Sequence, residues 1–361
     1  MRLRFLVLLM LCSGMGPCHP RPGADPVFVK IDVWRHHQLF YGFFLNATIT
    51  HDDELILLIH KHGIKAADKN RLYDFARIGN GPDEVNHSSS VCLYKDQVAE
   101  TELYRKVQIF AKKGQGYKWE RNIWRQEQGC FQRVSSARFI RNKWYFAGME
   151  YDYEQSPKGV YYLLRICEEN GKFIKRLVRR EYKEPRRLNL MGFYLAEYKR
   201  RVLFLGEDEP TVHEISQDSL QVTRKVKLRV PGFFKPMPAD YYAREINRDS
   251  ENFSIPVFYR ALERWKSTYS RITNMLIEKG RFIIQIRTAS DDRPRFALLF
   301  YHLPSFEFEK MIFTNDYLLT SRSGKFYMFQ NGNPMIDEEA GEFIVNVYDY
   351  SPEEEPSIKT N

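Results

Sequence analysis

Two short phrases in this 361-residue chain contain the residue types that a phosphate-binding loop would use. "FARIGNGPDEV" runs from Phe75 to Val85, and a near echo, "FAKKGQGYKWE", begins 35 residues later at Phe110. Closely spaced glycines can turn backbone N–H groups toward an anion. A P-loop, however, needs G-x-x-x-x-G-K-[ST], and a dinucleotide loop needs G-x-G-x-x-G at the opening of a helix. Neither pattern occurs here. Pro82 removes an N–H, and Asp83 and Glu84 would repel phosphate. The remaining reading is structural. Gly79, Gly81 and Pro82, with Gly114 and Gly116 in the echo, mark the boundaries of repeated units. The glycines would take unusual backbone angles and the proline would stiffen the link.

Histidines are the next candidates. "HKH" places His60 and His62 two residues apart, on one face of a strand, where both could reach one metal ion. The third ligand would have to arrive from another unit, as His36, His37 or His87, so packed or surface imidazoles are the preferred reading and no metal is expected. A serine hydrolase is not indicated, because no G-x-S-x-G elbow is present. The acids at Asp52 and Asp53, at Asp291 and Asp292, and from Glu207 to Glu209 read as turn residues, since no D-x-[DN]-x-[DN]-G calcium loop accompanies them. No residue is assigned a catalytic role, and no cofactor is expected.

The elements that would position these groups are strands. Aromatic residues make up 15% of the chain, and such residues favour half-buried pleated surfaces. Short apolar runs separated by turn residues recur throughout, as in "LNATITHDDELILLIHKHG" and in "EENGKFIKRL", where Asn170 and Gly171 form a tight hairpin turn. Further turns are expected at Lys279-Gly280 and Ser323-Gly324. Six such units at irregular spacings suggest a propeller or solenoid. A ring of four-stranded sheets leaves no long exposed edge, and it would be completed by the N-terminal "DPVFVKIDVW" joining the C-terminal "EFIVNVYDY". The clusters "KWYF", "VYY" and "DYY" are expected mainly to pack between sheets. Residues 231–269, rich in proline and containing the helix-like "FYRALERWK", read as an insertion, and residues 351–361 as a frayed tail.

Charge and termini bound the setting. The net charge of +9 arises from 55 basic and 46 acidic residues spread along the chain. The densest basic cluster, "KRLVRREYKEPRRL", reads as a solvated strand face, so a nucleic-acid partner is not expected. Residues 1–24 have the layout of a secretory signal and short linker: two arginines, an apolar run from Phe5 to Leu11, then small residues. Cys18 suits lipid anchoring better than Cys12 does, leaving free export and anchored export both open. A Cys92–Cys130 disulfide is compatible with export, as are free buried thiols. The sequons at Asn46, Asn86 and Asn252 matter only in a glycosylating host.

The order strand, turn, strand, then "FARIGNGPDEV" resembles the six-bladed β-propellers of exported bacterial proteins, akin to NHL-repeat and TolB-like propellers. In that family a blade tends to end in a phrase like "FGKKGQGPGEF"; here the echo has Tyr117 where the family has proline. The resemblance implies an all-β, six-bladed propeller over residues 25–350. It further implies a monomeric binding or scaffold module that engages a protein, peptide or glycan at one end of the ring. An extracytoplasmic lyase or hydrolase working in the central channel is the alternative. NHL-type propellers include a lyase with zinc-binding histidines, but no histidine here matches that pattern residue by residue.

Overall fold

The computed structural model describes residues 28–40, 44–59, 62–79, 81, 84–86, 88–102, 106–124, 131–150, 160–181, 192–238, 264, 268–289, 294–330 and 341–350. Their strands form six sheets. Blade 1 contains β2 (Phe44–Ile49), β3 (Leu55–Ile59), β4 (Gly63–Ala67) and β5 (Leu72–Ile78), with β6 (Glu84–Val85) adding a short parallel rung. Blade 2 contains β7 (Ser88–Tyr94), β8 (Gln97–Glu102), β9 (Lys106–Lys113) and β10 (Gly116–Trp124). Blade 3 is β11 (Phe131–Ile140), β12 (Lys143–Glu150), β13 (Val160–Glu168) and β14 (Phe173–Glu181). Blade 4 is β15 (Phe193–Tyr198), β16 (Arg201–Gly206), β17 (Thr211–Ser216) and β18 (Val222–Lys227). Blade 5 is β19 (Arg271–Glu278), β20 (Arg281–Arg287), β21 (Phe296–His302) and β22 (Phe308–Thr314). Blade 6 takes β23 (Tyr317–Arg322), β24 (Lys325–Phe329) and β25 (Gly341–Tyr350), and its fourth strand is β1 (Phe28–Phe40).

The protein is therefore an all-β, six-bladed propeller, closed as the sequence leads one to expect. β1 pairs antiparallel with β25, from Phe28 opposite Tyr350 to Phe40 opposite Gly341. The second apolar run of blade 1 is two strands, β3 and β4, since "GIKAA" makes its own rung against β3. Too short to show alternation, it passes in the sequence for part of a turn.

Each blade interface holds one apolar cluster, and β3 shows why its sequence, "LILLI", is continuously apolar. Leu55, Leu57 and Ile59 pack toward blade 6 against Leu319, Tyr327 and Val345. Ile56 and Leu58 pack toward blade 2 against Val91, Val98 and Phe110. Successive side chains of a strand point to opposite faces, so a blade sandwiched between two others must be apolar on both. The "KWYF" cluster follows the same rule: Tyr145 joins the interface with blade 4, while Trp144 and Phe146 join that with blade 2.

The innermost strands β2, β7, β11, β15, β19 and β23 touch in sequence and close back on β2. Polar ties bind each to the next. Asn46 Oδ1 accepts from Val91 N, Ala137 N donates to Ser90 Oγ, and Phe193 N donates to Ser135 Oγ. Tyr194 Oη donates to Ile272 O, Asn274 Nδ2 to Leu318 O, and Arg322 Nη1 to Thr50 O, which completes the circuit. Matched residues lie at matched ends of these strands, so all six run in the same direction.

That shared direction separates the two ends of the ring. Where the inner strands finish, the chain turns tightly, at Arg141-Asn142, Lys199-Arg200, Lys279-Gly280 and Ser323-Gly324. Lys279 (φ 45) and Gly280 (φ 74) both have left-handed angles, as a two-residue type I′ hairpin requires. Where the inner strands begin, the connections are long: 151–159, 182–192, 228–270 and 330–340 all leave and re-enter on this face.

The glycine phrases land in different places. Gly79 and Gly81 do lie between blades 1 and 2, but neither has a left-handed φ. The glycine at 79 answers to close approach: a Cβ there would meet Glu84 Oε2 at 2.0 Å. Glu84 folds back so that its Oε2 accepts from Gly81 N at 2.7 Å, while Gly79 N donates to Val85 O. Pro82 lies outside the described residues. Gly114 and Gly116 do not mark a boundary at all. They form the β9–β10 hairpin inside blade 2, at the opposite end of the ring, with Gly114 at φ +63. Glycine is wanted by any tight turn, so the shared phrase does not distinguish a hairpin from a link.

Candidate functional site

The end of the ring that carries the long connections also carries a belt of paired charges across blades 3, 4 and 5. Glu150, at the end of β12, is buried and bonds Arg165 Nη1 at 2.8 Å, with Arg176 at 3.9 Å. Arg180 bridges to Glu209 of blade 4 at 2.6 Å. Glu207, directly after β16, accepts from Gly192 N at 2.5 Å and from Arg271 Nη1 at 3.4 Å. Its backbone also binds both neighbours, through Glu207 N to Gly192 O and Ile272 N to Glu207 O. One glutamate thus fixes the starts of β15 and β19 together. Buried pairs of this kind hold geometry more than they add stability, because desolvation offsets most of the attraction.

Two tyrosines flank this pair. Tyr194 and Tyr317 both donate to backbone carbonyls of blade 5, Ile272 O at 2.9 Å and Thr273 O at 3.4 Å. Burial first, then the Glu207 charge, pushes the Tyr194 hydroxyl well above its usual range; burial lifts Tyr317 to about 12. Both remain protonated donors at physiological pH. His213, on β17, is buried edge-on to Phe204, and among the described residues neither ring nitrogen has a hydrogen-bond partner. Burial, helped by the charges of Arg180 and Lys225, lowers its pKa to about 4.

The neck of the insertion rises beside this belt. Lys235 N donates to Ser270 Oγ at 3.1 Å and Ser270 N to Lys235 O at 2.8 Å, immediately before Arg271. The base of the excursion packs on blade 5 through Phe233 and Phe234, with Phe233 against the Phe313 ring. The helix expected at "FYRALERWK" lies almost wholly outside the described residues.

The central channel is narrow. Its walls come from Asn46, Ser136, Arg138, Tyr194, Thr273 and Tyr317 among others, and they enclose a cavity of about 40 Å³. A cavity of that size is large enough for water. Asn46, first residue of a sequon, is one of the wall residues and is committed to Val91 N.

The other sequence candidates are dispersed. His62 is exposed in the β3–β4 turn, beyond the end of the strand, so the same-face argument for "HKH" does not hold; His60 lies outside the described residues. His36, on β1, is buried against the Phe343 ring of β25, and its neighbour His37 is exposed beside Glu342. Among the described residues no three His, Cys, Asp or Glu side chains are disposed to hold one metal ion. Cys92 and Cys167 are both buried, and burial pushes the Cys92 thiol up to about 11; Cys130, the other half of the expected disulfide, lies outside the described residues. Asp52 and Asp53 occupy a turn, as expected, whereas Glu207 is a buried anchor that its neighbours in "GEDEP" disguise. Its only sequence signal is its place directly after the apolar run "VLFLG".

Among the described residues no helix is long and apolar enough to cross a membrane. No protein-family model matches the chain, and no curated protein does. Solved structures share the fold. A member of the DUF4221 family from Bacteroides vulgatus superposes with a TM-score of 0.57 at 11% identity, over 90% of this chain and 98% of the other. A protein of Bacteroides fragilis classed as exported gives 0.53 at 12% identity, over 92% and 98%. A luciferin-regenerating enzyme gives 0.51 at 7% identity, over 88% and 95%. At such identities the likeness is one of architecture: this chain has the fold of those propellers.

Proposed function

We propose that this protein is an exported binding or scaffold module that engages a protein, peptide or glycan at the end of the ring where the inner strands begin. The observation that carries the reading is the asymmetry of the connections. One end is closed by tight turns, while the other gathers every long connection, the neck of the 231–269 insertion and the charged belt from Glu150 to Arg271. Loops on a rigid scaffold are where binding residues concentrate.

The channel favours recognition at the face over chemistry in the interior, since a cavity of about 40 Å³ is far smaller than the roughly 300–1,000 Å³ of ordinary ligand pockets. The arginines and glutamates of the belt suit a polar, hydrogen-bonding ligand surface. Export rests on the signal-like residues 1–24, and kinship with NHL and TolB-like propellers rests on the single phrase at Phe75.

The test is photo-crosslinking in the native host. A photoreactive residue at position 208, on the long-connection face, should form discrete adducts, and one at position 96, on the opposite turns, should not. Equal adducts from both positions, or none from either, would overturn the assignment.

A further inference from the structure

Arg138 supplies the observation. It lies on β11, and among the described residues that wall the central channel it is the one formally charged side chain. Its Nε–H donates to Leu195 O of blade 4 at 3.4 Å, a long bond that engages one of the five N–H groups of a guanidinium. The belt arginines Arg165, Arg176, Arg180 and Arg271 all have carboxylate partners. Arg138, by contrast, has none within ion-pair distance among the described residues.

The surroundings do not neutralise it. The titratable group that acts on Arg138 is Cys92, whose thiol is held uncharged by burial. An arginine stays protonated in such a place, and a half-buried cation with no carboxylate beside it draws in a counter-ion. Ser136, two residues earlier on β11, and Asn46 and Thr320 on other inner strands bring hydroxyl and amide groups to the same wall. The available volume then sets the size of the counter-ion. A cavity of about 40 Å³ falls well below the roughly 300–1,000 Å³ of pockets that take organic ligands and suits a monatomic ion with water.

We propose that the central channel is a binding site for a small monovalent inorganic anion of the chloride class, held by the Arg138 guanidinium between blades 3 and 4. The ion completes a junction that Arg138 already begins by reaching from β11 to the backbone of β15. It binds the closed ring and not the unfolded chain, so stability rises with its concentration.

The experiment uses the full chain in chloride-free buffer, with sodium gluconate holding ionic strength constant while chloride is titrated in. Two readouts are followed, the thermal unfolding midpoint and the linewidth of the chloride-35 resonance. The expected result is a saturable rise in midpoint and an excess linewidth that bromide displaces, both lost in Arg138→Met and partly kept in Arg138→Lys. A flat midpoint with no excess linewidth in the wild type overturns the proposal, as does an Arg138→Met protein that responds like the wild type. Should Arg138→Met fail to fold, a wild-type crystal soaked in bromide decides. An anomalous peak beside the guanidinium supports the site, and peaks confined to the outer surface, an adventitious ion only, overturn it.

Discussion

Tyr117 Oη donates to Glu54 Oε2 at 2.8 Å across the interface of blades 1 and 2, where Tyr73 Oη donates to the other carboxylate oxygen at 2.7 Å. Glu54 is almost wholly buried, with Lys112 Nζ 3.3 Å away. Burial first, then hydrogen bonding to Glu54, raises both tyrosines far above their ordinary range, so they serve only as donors. Tyr117→Phe removes one donor from a buried carboxylate and should cost about 1–3 kcal/mol. Urea unfolding checks this, and a cost near zero would show that the bond contributes nothing.

Gly79→Ala forces the Glu84 carboxylate off the Gly81 N–H, because the new methyl would sit 2.0 Å from Glu84 Oε2. The expected loss is about 1.5–3 kcal/mol, that of a charge-assisted bond to backbone. In a Glu84→Ala background the same change should be close to neutral, since nothing then occupies the space. Equal effects in both backgrounds would mean that the glycine is needed for another reason.

His213 makes stability depend on pH. Its pKa is about 4 in the folded chain and about 6.5 in the unfolded chain, so the unfolded state binds the extra proton between those values. Stability is full above about pH 6.5 and falls as the solution is acidified toward pH 4, by an amount on the order of 3 kcal/mol. His213→Leu should remove that share of the slope. The measurement is the difference between wild-type and variant unfolding free energies at pH 7.5 and pH 4.5, which cancels the contribution of other groups.

Leu57→Ala opens a cavity between blades 6 and 1, where Leu57 is fully buried. The cost should be about 2–5 kcal/mol. The mirror change at Leu58, which faces blade 2, should be of similar size and additive with a distant core mutation such as Phe282→Leu, as checked by denaturant melts of the single and double variants.

The architecture was legible because two-sided burial writes continuous apolar runs such as "LILLI" and because Lys279-Gly280 and Asn170-Gly171 are turns that chemistry dictates locally. The site was much less legible. Glu207 and Arg271 are 64 residues apart in sequence and meet only when blades 4 and 5 pack side by side, and Arg138 is notable for what does not approach it. Single residues set into different blades leave no spacing to read. The same locality explains the error at Gly114: a turn phrase reports backbone geometry but not which end of the ring it occupies.

The pairing of β1 with β25 joins the first described strand to the last, with Phe28 opposite Tyr350. During synthesis the ring therefore cannot shut until almost the whole chain has emerged. Until then β25 has an open edge and β1 has no sheet to join. Contacts so distant along the chain form slowly, and open strand edges recruit one another in the meantime. The seal that protects the finished propeller is thus also the last bond its folding can make.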